Sequence, residues 1–179
     1  MSQLSDLCGA AVDAGGFAVS EVRVRELEQF SVYAGALMPE FEKGGRLAGF
    51  YFSDGGTLPE DVFYDHRPNL MAMSLMCAVD TDVPLDDMQA VAAAILKANR
   101  AFFTQRSQGG DGDWYDSFQH LIGAGHRHAD ILDYPFSVFL GYCRAVSAQQ
   151  AREDRRVAAA VRAGRFLDDR KFKDYLKAV

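Results

Sequence analysis

Residues 136–163 read FSVFLGYCRAVSAQQAREDRRVAAAVRA. The first half, after Tyr134-Pro135, places Phe136, Phe139, Leu140, Cys143 and Val146 at helical spacing, and there the apolar stripe stops. Gln149, Gln150, Arg152, Glu153, Asp154, Arg155 and Arg156 follow, and then only Val157, Ala160 and Val161 before Gly164. Such a pattern predicts one long helix that starts in a core and continues out of it, its second half solvated or facing a partner. The charge agrees. From Arg144 to Val179 ten Lys/Arg stand against five Asp/Glu, a balance of +5, whereas residues 1–143 hold nine basic and twenty acidic side chains, or −11. Charge segregated along a chain points to separate interaction surfaces.

Upstream of this helix, Trp114 to Ile122 reads as a short amphipathic helix ended by Gly123-Ala124-Gly125, and Ile131-Leu132 lies between it and Tyr134. Thr104 to Asp113, TQRSQGGDGD, has no apolar residue and three glycines, the composition of a flexible linker. Before it, Met88, Val91, Ala92, Ile95, Asn99 and Phe102 mark the clearest helix, running to Phe103, with Asp86 and Asp87 in its first turn where the dipole favours them. Pro68 is a natural first-turn residue for a helix to about Val79, and Asp80 to Pro84 a turn. Residues 46–66, rich in aromatics and broken by Gly55-Gly56 and Pro59, fit a hairpin or an irregular loop. Arg25 to Lys43 is helical in spacing, with Pro39 set to kink or end it. Phe17 to Val24 reads as a short or bulged strand slipping phase near Ser20-Glu21, and residues 4–12 as a helix stopped by Gly15-Gly16. Downstream, a last short helix capped by Asp168 or Asp169 carries Phe172, Tyr175 and Leu176 on one face.

The expected fold is therefore mainly α: a helical domain over 1–103 with at most a short strand or hairpin near its N-terminus, a linker at 104–113, and a helical extension over 114–179 that includes the basic helix. Phe30, Leu37, Ile95, Phe102, Phe136, Phe139 and Leu140 are the expected core. A hydrophobic share of 49% supports a real core. No apolar run approaches the roughly 20 residues of a membrane span, and the N-terminus lacks a secretory pattern, so a cytoplasmic location is expected.

Chemistry-bearing motifs are sparse. Cys8, Cys77 and Cys143 are odd in number and widely spaced, as small core hydrophobes are. His120, His126 and His128 lie near Asp116, Asp130 and Asp133, but the Gly-rich break falls between them and no ligand-spaced motif is present, so a polar cap and turn is expected and no metal. Gly109-Gly110-Asp111-Gly112 lacks the Lys-Ser/Thr of a phosphate loop. Pairs such as Glu40/Glu42 and Asp86/Asp87 read as solvated ends, and no nucleophile-elbow motif occurs. No catalytic residue and no cofactor are expected. What remains is the basic helix, where Arg152, Arg155, Arg156, Arg162 and Arg165 are the candidate partner-binding residues. Nucleic acid is the weaker partner, because Glu153 and Asp154 interrupt the run and no aromatics interleave. A solvated helix of no special role is the bland alternative.

The segment VSEVRVRELEQFSVYAGALMP resembles the opening of tail assembly chaperones of long-tailed bacteriophages, where a strand leads into a V-x-E-L-x-x-F helix; Val24, Glu26, Leu27 and Phe30 stand in those places. VPLDDMQAVAAAILKANRAFF resembles a later helix of the same proteins that ends in an Asn and a pair of Phe, here Asn99, Phe102 and Phe103. The second block resembles their downstream extension through Trp114, Gly125, His126, Ile131, Tyr134 and the helix from Phe136 to Ala163. In that family the extension is often joined by ribosomal slippage, which would make TQRSQGGDGD the seam. The resemblance implies a non-enzymatic role: binding the tape-measure protein, helping to recruit tail-tube subunits in the host cytoplasm, with room for self-association. Two other classes stand beside it, a helical ligand- or metal-binding enzyme-like domain with the aromatics of 50–64 and Trp114 around a pocket, and a nucleic-acid-binding accessory protein.

Overall fold

The computed structural model describes residues 11–50, 57–77, 83–104, 114–166 and 168–178, apart from the side chains of 114, 169 and 175–178. Outside them fall most of the helix expected at 4–12 with Cys8, residues 51–56 and 80–82, the linker from 105 to 113, and the Trp114, Tyr175 and Leu176 side chains. The chain forms two compact units, Met1–Gly141 and Tyr142–Val179. Helices dominate, as the apolar spacing predicts.

The first unit opens with an antiparallel hairpin, β1 (Val12–Ala14) and β2 (Phe17–Val19), in register Val12 to Val19. Gly15-Gly16 is its turn and not a helix stop. Both residues have positive φ (64° and 96°), as a two-residue hairpin of this hand requires. The Asp13 carboxylate accepts the Gly16 N–H at 3.0 Å. β2 ends where the alternation slips, at Ser20. After a 3-10 turn at Val24–Glu26 come α1 (Leu27–Gly35) and α2 (Met38–Phe41), with Pro39 in the first turn of α2. The long helix expected over 25–43 is thus broken at residues 36–37.

α3 (Glu60–Cys77) starts eight residues before the expected Pro68, which lies inside it, so residues 60–66 are neither hairpin nor loop. Glu60 and Asp61 fill its first turn and Phe63 N–H bonds the Pro59 carbonyl at 3.0 Å. Pro68 removes one rung of the ladder, but it is exposed on the outer face, where bending toward solvent is tolerated. α4 (Met88–Ala98) follows, and Asn99 parts it from α5 (Arg100–Thr104), where the spacing had suggested one helix. Then come α6 (Trp114–Gly123), α7 (His128–Asp133), α8 (Phe136–Phe166) and α9 (Asp169–Ala178). Gly125 at φ 98° ends α6, with the His126 N–H bonded back to the Leu121 carbonyl at 3.0 Å. α7 escaped the sequence reading because one turn and a half has too few apolar positions to show a period.

α3 packs between α1 and α4, and α4 also lies against the hairpin. Val19, Phe30, Leu37, Val62, Leu70, Met73, Ile95 and Leu96 are fully buried there, and Phe136 and Phe139 are buried at the start of α8. Phe30 meets Phe102 edge-on at 5.2 Å, Phe102 meets Phe136 at 5.8 Å, and Phe118 meets Phe139 at 5.7 Å. Phe102 and Leu140, expected in the core, are only half-buried at its margin. Residues 114–141, which the sequence assigns to the extension, belong to the first compact unit.

Candidate interaction surface

The extended segment Ser20–Val24 explains where α8 begins. Ser20 N–H bonds the Cys77 carbonyl at 2.7 Å, joining the segment to the end of α3. Val22 N–H bonds Asn99 Oδ1 at 2.9 Å, and Asn99 Nδ2 donates to the Ile95 carbonyl at 2.9 Å. That fully buried carboxamide is held by both ends, and its inward turn is why α4 and α5 part there. Val22 O accepts Phe136 N–H and Val24 N–H bonds Tyr134 O, both at 3.0 Å, on either side of an antiparallel bridge between Arg23 and Pro135. Glu21, 5% exposed, caps α8 from outside the helix: its carboxylate accepts Ser137 N–H at 2.8 Å and Ser137 Oγ–H at 2.5 Å. Burial raises its pKa above the ordinary 4.5, against the lowering effect of those bonds.

Beyond Gly141 the apolar anchor is gone, and residues 147–162 are exposed throughout. Of the residues singled out by sequence, Arg152, Arg155, Arg156 and Arg162 lie in this stretch, and Arg165, also exposed, follows the buried Ala163. Arg155 Nε donates to the Ala151 carbonyl at 2.9 Å, and the Arg165 guanidinium sits 5.5 Å from the centre of the Phe166 ring. Among the described residues no ion pair holds Arg152, Arg156 or Arg162. At 3.6 residues per turn, Arg144, Arg152, Arg155, Arg156 and Arg162 share an arc of roughly 120° with Ala145, Ala148 and Ala159. Glu153 and Asp154, together with Val157 and Val161, lie on the far side, and Arg165 falls beside the arc. The interruption of the basic run in sequence is therefore no interruption of the basic face, which closes at the buried Ala163.

A second charged cluster was not foreseen. Arg46 is paired with Glu40 and also bonds Asp65 at 2.7 Å and Asp61 at 3.1 Å, while His66 Nε2 lies 3.2 Å from Glu40 Oε1. The bond to Arg46 holds the Glu40 carboxyl down to about 2. Acidic residues 15 to 19 positions from a lone Arg give no local signal, so only the packing of the 42–50 turn on α3 reveals it. Leu47 N–H on the Glu40 carbonyl, at 2.8 Å, fastens the same turn.

The histidines are spread out. His126 Nδ1 is 3.0 Å from Tyr134 Oη, and His128 stacks at 5.7 Å on Phe118. Among the described residues no three His, Cys, Asp or Glu side chains are placed to hold a metal ion. Burial pushes the Cys77 thiol up to about 12, and the Asn99 amide lies 3.4 Å from its sulfur. A groove of about 380 Å³ runs between β1, residues 57–58 and α4, lined by Ala14, Leu58, Ala90, Ala93, Ala94 and Lys97 among others, not by the aromatics of 50–64 or Trp114. No helix among the described residues is long and apolar enough to cross a membrane. Comparison with protein-family models, with curated proteins and with solved structures finds no match to this chain.

Proposed function

We propose that this chain is a non-enzymatic tail assembly chaperone of the long-tailed phage type, which binds a tape-measure protein and helps recruit tail-tube subunits. The observation that carries the reading is the Arg/Ala face of α8: exposed, free of carboxylates, and longer than folding requires. Each guanidinium is a planar fork suited to carboxylates of a partner, and each stem covers apolar surface. A long helical client needs many weak, reversible contacts along its length, and a polar-rimmed helix face supplies them. The resemblance in the first hundred residues and in the extension adds the identity of the client.

The test is co-expression with a long coiled-coil-like protein encoded next to this chain. Replacing Arg152, Arg155, Arg156 and Arg162 with Gln should leave the circular dichroism and melting temperature unchanged, since exposed ion pairs contribute only about 0–1 kcal/mol each. It should cut client capture at low salt at least several-fold. Undiminished capture by this variant would show that the helix is only solvated. A second reading, a nucleic-acid accessory, draws on the same carboxylate-free face, because Arg residues on one side of an Ala-rich helix also suit phosphates. Binding to duplex DNA that falls steeply with salt would favour it.

A further inference from the structure

The hairpin has an edge that its own sheet leaves open. β1 pairs with β2 on one side only. Ala14 pairs with Phe17 across the two-residue turn and Val12 with Val19 beyond it, so Asp13 and Ala18 form the non-hydrogen-bonded pair between them. The Asp13 N–H and C=O therefore point away from β2, and among the described residues neither has a partner. The groove of about 380 Å³ borders this edge, with Leu58 and the alanines of α4 as its other sides. Lys97 lies at the groove's end along α4. Its ammonium is 5.8 Å from the centre of the Phe50 ring, and among the described residues no carboxylate pairs with it. We infer that this groove binds the last residues of a polypeptide chain, which add to β1 as a short extended strand and set their terminal carboxylate against Lys97.

Three features select that chemistry. The backbone comes first. An outward N–H and C=O on a strand edge are satisfied together by an extended peptide, and not by a helix, whose backbone groups bond internally. Shape comes second. Ala93 and Ala94 are buried along the groove and Ala90 is exposed at its mouth. Such small side chains leave room for those of Val or Ile, which an extended segment presents at every second position. Gln89 keeps the wall in place, since its amide donates to the Leu58 carbonyl at 2.7 Å. Charge comes third. Asp86, exposed, lines the groove at the opposite end from Lys97. Eleven residues of helical rise separate the two by roughly 16 Å, the reach of about five extended residues. A basic side chain five positions from the carboxylate therefore meets Asp86, and acidic side chains are disfavoured by both Asp13 and Asp86.

A three-residue edge and one charged contact make the complex weak, with a Kd on the order of 10–100 µM. The site does not rest on the chaperone reading, because no residue of α8 lines it.

A pool of pentapeptides tests it, with Lys first and the other four positions drawn from Ala, Val, Ile and Thr. The pool is made once with a free carboxylate and once amidated, and each is passed over the immobilised full chain. Mass spectrometry of the retained peptides should show about fivefold more of the free acid than of the amide. Lys97→Gln should erase that difference, and Ala90→Trp, at the exposed mouth, should abolish retention of both pools. Arg152→Gln with Arg155→Gln should retain the peptides as the wild type does. Exchange of the Asp13 amide hydrogen, followed by NMR, should slow about tenfold when the best-retained peptide saturates the site. Circular dichroism verifies folding, and Lys97→Gln serves alone if Ala90→Trp unfolds. No retention, equal retention of acid and amide, retention that survives Ala90→Trp, loss through the α8 variant, or unchanged Asp13 exchange each overturns the inference.

Discussion

Asn99 shows how much one side chain can settle. Its carboxamide accepts from Val22 and donates to Ile95, so removing it leaves a buried N–H of the central segment without an acceptor. Asn99→Ala should lower the unfolding free energy by about 1–3 kcal/mol in urea titration, and an unchanged midpoint would mean that water takes over the bond. Two carboxylates give stability opposite pH slopes. Glu40 is held near 2 by Arg46, so its contribution is present above its unfolded pKa of about 4.5 and is lost as pH falls from there toward 2. Glu21 has a raised pKa, so its contribution is present below about 4.5 and is lost as pH rises through its folded value. Urea midpoints against pH should therefore lose their acid-side slope in Glu40→Gln and, in Glu21→Gln, lose the decline that sets in above pH 4.5. Of these residues only Asn99 had a sequence signal, as the one polar position on an apolar face. The reach from Glu21 to Ser137 spans 116 positions and leaves no periodic trace.

Among the elements, legibility followed length and regularity. α4 and the start of α8 were plain because several apolar residues repeat at helical spacing and bury one face, and Phe30, Ile95 and Phe139 sit where that rule puts them. The hairpin strand β1 was misread because Val12 alone continues the helical spacing of residues 4–11, and three residues cannot establish an alternation. α3 was misread at its start because Pro68 is the strongest local punctuation in the segment, and a proline tolerated on an exposed face looks the same in sequence as one that opens a helix. The basic face of α8 was legible as charge, but its confinement to one side emerges only when the turns are counted along an intact helix. Pro68→Ala restores the missing donor to the Tyr64 carbonyl and should stabilise the protein by about 1–3 kcal/mol in chemical denaturation. A loss of stability would mean that the backbone geometry imposed by Pro68 is needed for packing on α1 and α4.

At the scale of the molecule, the division of labour is between a packed acidic unit and a basic helical one, each understood from a different part of the sequence. Burial accounts for the first. Nothing buried accounts for residues 147–162 of the second, which are exposed throughout. The segment Ser20–Val24 has a further consequence, which concerns time. Its partners lie 57, 77 and 116 residues downstream. A helical protein ordinarily closes through near neighbours and does so fast, but here one extended stretch made early in synthesis waits for the chain to reach Ser137 before its last bonds exist. Loop closure over such distances precedes the reward of the contacts, so refolding from urea should be slower than in bundles built from local contacts. In a nascent chain that has not yet reached residue 137, the Val22 carbonyl and the Glu21 carboxylate still lack the donors that Phe136 and Ser137 later supply.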